Sequence, residues 1–141
     1  MSAATRLRRL DESAAITVVE RGEHVSFAGC GLPYYVGGVI AERDDLLLQT
    51  PASLAARFAL DVRVRTEATA IDRAARTVRV RTTTGPAGAT AEEDLPYDAL
   101  VLAPGARPVL PPVSGMERAL TLRDVADADA LVRAVATAGG D

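Results

Sequence analysis

Ile16-Thr17-Val18-Val19-Glu20-Arg21-Gly22 is the stretch on which the fold turns. Its β-branched run predicts a short strand over 16–19, closed by an acid and then by an Arg-Gly turn. Ahead of it, Ser2–Leu10 reads as a helix, with Leu7 and Leu10 three apart and no strand or capping segment before them. A helix followed by a strand tipped with a carboxylate matches the second half of a dinucleotide-binding βαβ unit, where that carboxylate accepts hydrogen bonds from the adenosine ribose. Glu20 occupies the place. An acid at a strand end is as often a plain turn residue. The glycine-rich turn of such a unit belongs about 20 residues earlier, ahead of Met1, so the expectation is a chain that starts inside the unit.

Downstream, residues 23–30 read as a loop, and Pro33 suits the first turn of a helix starting near Gly31. Thr50-Pro51 is a second helix start, with Thr50 as N-cap, Leu54 and Phe58 facing a core, and an end near Ala59. Residues 61–65, 68–71 and 77–81 alternate apolar with polar side chains, the period of strands with one wet face, and Arg63, Arg65, Arg79 and Arg81 fall on that face. Residues 72–76 form a tight connection and 85–89 a loop. Ala99-Leu100-Val101-Leu102-Ala103 is continuous enough in apolar character to predict a buried parallel strand ending at Pro104-Gly105. After a proline-rich crossing at 108–112 comes a last helix capped by Asp124, with Val125, Ala128, Leu131, Val132 and Val135 on one face. Its closing glycines suggest a further nucleotide-binding domain beyond.

At 141 residues and 48% hydrophobic, the chain fits one domain able to bury a core. A net charge of −3 argues against general affinity for nucleic acid or anionic membranes. No run approaches the roughly 20 apolar residues of a membrane span, and the first residues are not signal-like, so a cytoplasmic protein is expected. All 16 cationic residues are arginines, so each cationic contact is a planar, permanently charged guanidinium.

The single cysteine, Cys30, excludes an intrachain disulfide. It is either a small apolar side chain, the commoner case for a free cysteine, or a thiol with its own chemistry. Its place after a glycine and at a helix start favours the thiolate, whose oxidised form would be a mixed disulfide with an external thiol or a sulfenic acid. Lone His24 reads as a surface loop residue, and nothing near it forms a metal set. Arg6, Arg8 and Arg9 are either a solvated helix face or a site for a diphosphate, which the guanidinium fork suits. Tyr34 and Tyr35 could pack on a cofactor ring or in the core.

The string Ser26-Phe27-Ala28-Gly29-Cys30-Gly31-Leu32-Pro33-Tyr34-Tyr35 resembles the active-site segment of the single-cysteine flavoprotein disulfide reductases, the coenzyme A-disulfide reductases and NADH oxidases among the pyridine nucleotide-disulfide oxidoreductases. Further matches are Arg6-Leu7-Arg8-Arg9-Leu10-Asp11, Gln49-Thr50-Pro51, Glu67-Ala68-Thr69-Ala70-Ile71-Asp72, Leu102-Ala103-Pro104-Gly105-Ala106 and Thr121-Leu122-Arg123-Asp124, so the resemblance covers nearly the whole chain. It implies an α/β fold: a Rossmann-like FAD-binding domain, three-layered and mainly parallel with an inserted antiparallel β-meander, truncated at both ends over 1–141.

The same resemblance implies that Cys30 cycles between thiolate and a mixed disulfide with coenzyme A beside FAD, with NAD(P)H as electron donor in full-length relatives. Glu20, Arg21, Ala68 and Gly105 would serve the FAD, Ala68 and Gly105 through backbone atoms. Ser2, Arg6, Arg9, Ser26 and Gly29 would line the coenzyme A site, the two arginines meeting its phosphates. The family commonly has asparagine where this chain has Gly29. Full-length relatives are expected to be homodimers. Without the pyrophosphate-binding turn the polypeptide is expected to bind flavin weakly. An NADH oxidase working through a sulfenic acid and a non-catalytic nucleotide-binding or interaction fragment are the alternatives.

Overall fold

The structure, a computed structural model, describes residues 1–84 and 88–138. The described residues fall into two compact units, one from Met1–Ser26 with Gln49–Leu102, the other from Phe27–Leu48 with the residues from Ala103 onward.

In the first unit, helix α1 (Ser2–Leu10) is followed by strand β1 (Thr17–Val19). β2 (Ser26–Phe27), α2 (Leu32–Val36) and β3 (Leu47–Gln49) come next in the chain, with β2 paired to β3. α3 (Pro51–Phe58) begins as expected: Thr50 Oγ1 accepts from Ser53 N and Ser53 Oγ accepts from Thr50 N, a reciprocal capping box. It ends at Ala59, whose φ of 48° turns the chain out of the helix. Arg8 satisfies the carbonyls left there: Nε donates to Phe58 O at 2.8 Å and Nη2 to Ala59 O at 3.0 Å. The same guanidinium donates to Glu12 O at 2.6 Å, so it fastens α1, none of whose residues is buried, to α3.

β4 (Asp61–Arg63) pairs parallel with β1, Val18 opposite Val62. β5 (Thr66–Asp72), β6 (Thr77–Thr84) and β7 (Ala89–Pro96) form an antiparallel meander in that order. The 72–76 connection is tight because Asp72 Oδ1 accepts from Ala74 N and Ala75 N. Leu54, Leu60, Thr66, Val78 and Val80 are this unit's buried residues.

Strand β7 has no counterpart in the sequence reading, since Glu92-Glu93-Asp94 is poor strand material. Its acids are matched across the ladder. Arg79 lies opposite Asp94 and binds it through two hydrogen bonds of 2.9 Å, Arg81 lies opposite Glu92 at 3.2 Å, and Arg63 reaches Glu93 at 2.8 Å. Directly opposed unlike charges stabilise an antiparallel pair, so the arginines of the wet face select the strand that follows them. The expected loop at 85–89 lies partly outside the described residues.

Residues 99–103 correct a second expectation. They form no strand, and Leu100, Val101 and Leu102 are exposed. A strand exists only where a neighbour completes its ladder, and no edge of the described sheets pairs with this run.

The second unit packs α2 against α4 (Val125–Ala138) around Leu32, Leu46, Val125 and Ala128, with Phe27, Tyr35, Val36, Ile40 and Leu47 partly covering them. α2 is shorter than its apolar run suggests because Gly37 and Gly38 follow, and Gly38 at φ 75° turns the chain back. Asp124 caps α4 by accepting from Asp127 N at 2.9 Å. Leu131 and Val132 are half-buried, whereas Val135, expected on the core face, is exposed because it lies in the last turns, beyond the part of α4 that meets this core. Asp129 accepts from Arg43 Nε at 3.0 Å and Tyr35 Oη at 3.4 Å, joining α4 to the Arg43–Leu46 turn and α2.

Candidate functional site

In the first unit the candidate residues gather at the end of β1. Glu20 N donates to Arg63 O at 2.9 Å and Glu20 O accepts from Thr66 N at 3.0 Å, so the half-buried residue is held between β4 and β5. Its Oε1 accepts from Gly22 N at 2.6 Å, and Gly22 O in turn accepts from Arg65 N at 2.8 Å. A Cβ on Gly22 would lie 3.0 Å from that Oε1, so glycine is what lets the turn close on the carboxylate. Among the described residues no donor reaches the other oxygen, which leaves an acceptor for a hydroxyl.

Ala68 shares that edge. Arg65 O accepts from Thr83 N on β6 while Thr66 N turns to Glu20, so backbone groups of successive β5 residues point alternately to β6 and outward. Ala68, two residues on from Thr66 and opposite Val80, therefore presents its N–H and C=O on the open side. The register shifts immediately afterwards, between Ala68 and Ala70, a bulge of the kind that re-aims a strand beside a binding site. Arg21 is exposed, without a partner among the described residues.

Ser2, Arg6 and Arg9 lie exposed on α1, and neither of the two arginines has a partner among the described residues. The sequence could not separate them from Arg8, which is committed to backbone carbonyls. Ser26 is half-buried in β2.

In the second unit Cys30 is exposed in a 3-10 turn, Gly29–Gly31, immediately before α2. Ala28 N donates to Leu46 O and Gly31 N to Ala28 O, both at 2.8 Å, which fixes the turn at each end. The flanking glycines differ. A Cβ on Gly31, which is buried, would lie 3.0 Å from Leu46 Cδ2 and 3.3 Å from Ile40 Cδ1. One on Gly29 would meet nothing within 4 Å. The expected loop here thus contains a short strand and a packed turn. Tyr34 is exposed and Tyr35 packs on the core.

Gly105 adopts φ 72°, which disfavours any side chain there. Arg123 Nε donates to Ala106 O at 3.4 Å, while Arg123 N and Thr121 Oγ1 donate to Asp127 Oδ2 at 2.7 and 3.0 Å. Thr121-Leu122-Arg123-Asp124 is thereby the segment that ties the Gly105 loop to the start of α4.

The sequence profile of the pyridine nucleotide-disulphide oxidoreductases matches residues 1–137. The chain belongs to this family. Members of the pyridine nucleotide-disulphide oxidoreductase family use FAD with NAD(P)H. The coenzyme A disulfide reductase of Staphylococcus haemolyticus is 37% identical over 105 residues, 73% of this chain and 22% of that protein. Reduced CoADR-RHD of Bacillus anthracis superposes with a TM-score of 0.85 at 45% identity, over 96% of this chain and 24% of that one. An NAD-dependent persulfide reductase from A. fulgidus gives 0.84 at 39% identity, over 99% and 26%. The α/β fold is thus that of the FAD-binding Rossmann-like oxidoreductases, and the chain spans about a quarter of the length of the relatives it matches. Among the described residues no helix is long and apolar enough to cross a membrane.

Proposed function

We propose that this chain is part of the FAD-binding domain of a flavin-dependent disulfide reductase in which Cys30 is the redox thiol, acting on coenzyme A disulfide or a related low-molecular-weight disulfide with NAD(P)H as electron donor. The observation that carries the reading is Cys30 itself: an exposed thiol on a turn immobilised by Gly31 packing and two backbone hydrogen bonds, in a chain of this family. An exposed, fixed thiol can meet a disulfide in line without first reorganising the loop. Two relatives, a coenzyme A disulfide reductase and a persulfide reductase, support a sulfur-sulfur substrate.

Glu20 would hold the adenosine ribose through its free carboxylate oxygen, Ala68 would meet adenine with outward backbone groups, Arg21 would lie beside them, and Gly105 would admit the cofactor close to the chain. Bound FAD supplies the electrons that return an oxidised Cys30 to the thiol. Arg6 and Arg9 supply unpaired guanidiniums for coenzyme A phosphates, with Ser2, Ser26 and Gly29 as further lining. Cys30 attacks one sulfur of the disulfide, a new S–S bond forms to the cysteine, and the other half leaves as a thiol.

Incubation with coenzyme A disulfide tests this. The expected result is one coenzyme A adduct per chain, mapped to Cys30 by mass spectrometry, absent in Cys30→Ser and slowed in the Arg6→Gln, Arg9→Gln double variant. No adduct on a Cys30 that iodoacetamide still alkylates would overturn the disulfide reading. A sulfenic acid formed with hydrogen peroxide in place of any adduct would redirect it to an oxygen-reducing oxidase.

A further inference from the structure

Strand β1 has an open edge. Ile16 O accepts from Asp61 N at 3.0 Å and Glu20 N donates to Arg63 O at 2.9 Å, so the backbone groups of Ile16, Val18 and Glu20 face β4. Those of Thr17 and Val19, one residue out of step, face away from it, and among the described residues β1 pairs with β4 alone. Sheet edges are commonly blunted by charge or proline. β7, the outer strand of the meander, carries Glu92, Glu93 and Asp94 and ends in Pro96. β1, which is Thr-Val-Val, has neither device.

The same compact unit holds the converse feature. Leu100-Val101-Leu102 has the composition of a buried strand but joins no ladder and is exposed, Val101 at 73% and Leu102 at 67%. Leu7 and Leu10 of α1, in this unit as well, are also exposed. One chain thus carries an edge without a strand and a strand-like run without an edge. Neither is charged, so nothing on either selects a charged partner. Two copies satisfy both needs, because each presents the half that the other lacks.

We infer that the open edge of β1 is a self-association surface whose partner is a second copy of this chain. The 100–102 run of one copy hydrogen-bonds to Thr17 and Val19 of the other, and the reciprocal contact closes the pair. Pairing buries apolar side chains that the single chain leaves in water. A ladder of three residues on each side is short, so the pair is weak and its population follows concentration. The contact involves neither Cys30 nor any residue proposed to meet FAD, so it stands or falls apart from the redox reading.

Sedimentation velocity of the full chain from about 1 to about 200 µM, with hydrogen exchange at both ends of the range, tests this. The expected result is a mass that doubles with concentration, and amides of Thr17, Val19 and 100–102 that exchange more slowly in the concentrated sample. Thr17→Pro removes an outward N–H at the first residue of β1, where proline is tolerated, and Val101→Lys charges a side chain that is exposed in the single chain. Each is expected to weaken the pair about tenfold or more, and Val101→Lys to leave the melting temperature of the dilute chain unchanged. A single copy throughout, with fast exchange at Thr17 and Val19, would overturn the inference. A single copy with those amides protected sinks it equally, by assigning the edge to the chain's own 100–102 run. Protection gained only on adding a synthetic valine-rich peptide would assign the edge to a strand of another polypeptide instead. Doubling that both variants leave intact places the contact elsewhere, and a mass that climbs past two copies replaces the closed pair with a head-to-tail chain; either result overturns it. So does a lowered melting temperature in dilute Val101→Lys, which would make the run part of the single chain's own fold.

Discussion

Gly31 is where a single missing atom matters most to the candidate site. Its Cβ position is already claimed by Leu46 and Ile40, so Gly31→Ala forces either those side chains or the turn to move, at about 1–3 kcal/mol for overpacking. The expected outcome is a lower denaturation midpoint together with altered alkylation kinetics at Cys30; an unchanged midpoint would show that the turn yields freely. Arg8 makes the same point with charge. The three arginines of α1 read alike in sequence, yet one is spent on the carbonyls of Phe58, Ala59 and Glu12 while Arg6 and Arg9 stay open. Glu20, by contrast, was legible from its position after a β-branched run, because the constraint is local: the strand end fixes where the carboxylate sits, and Gly22 two residues on closes around it.

At the level of elements, the helix caps at Thr50 and Asp124 follow from residue type, since an N-cap needs only a short polar side chain and the next three residues. Strand β7 depends on charge brought from eleven or more residues away. The Arg79 guanidinium, hydrogen-bonded to Asp94, holds that carboxyl below its ordinary range, and Asp94 in turn raises Arg79. A depressed carboxyl contributes stability that is present above its unfolded-state pKa and lost as pH falls through the folded value. Asp94→Asn is therefore expected to lower the melting temperature at neutral pH, with the difference from the parent chain closing as pH drops below about 4. A difference that persists in acid would assign the effect to β7 packing instead. Both groups are solvent-exposed, so the shift expected is small and salt-sensitive.

For the molecule as a whole, the turn that carries Cys30 is only as firm as the core beneath it. That core has four buried residues, Leu32, Leu46, Val125 and Ala128, and Leu46, with no exposed surface, also packs against Gly31 and accepts the Ala28 hydrogen bond through its carbonyl. Leu46→Ala should cost about 2–5 kcal/mol and speed amide exchange through 27–48. Exchange that quickens only at residue 46 would mean the cavity closes locally. The sequence by itself determined the α/β order, the capped helices, the acid at the end of β1 and the glycine-flanked cysteine before α2, because each rests on residue types within one turn or one strand of each other. The tertiary structure decided the rest: that an acidic run becomes β7, that apolar residues 99–103 stay unpaired and exposed, that Arg8 serves α3 rather than a ligand, and that only one of the two glycines beside Cys30 is needed for packing. Each of these depends on what a distant segment places opposite, since a ladder, an ion pair and a packed Cβ are all made by two partners, and local sequence names only one of them.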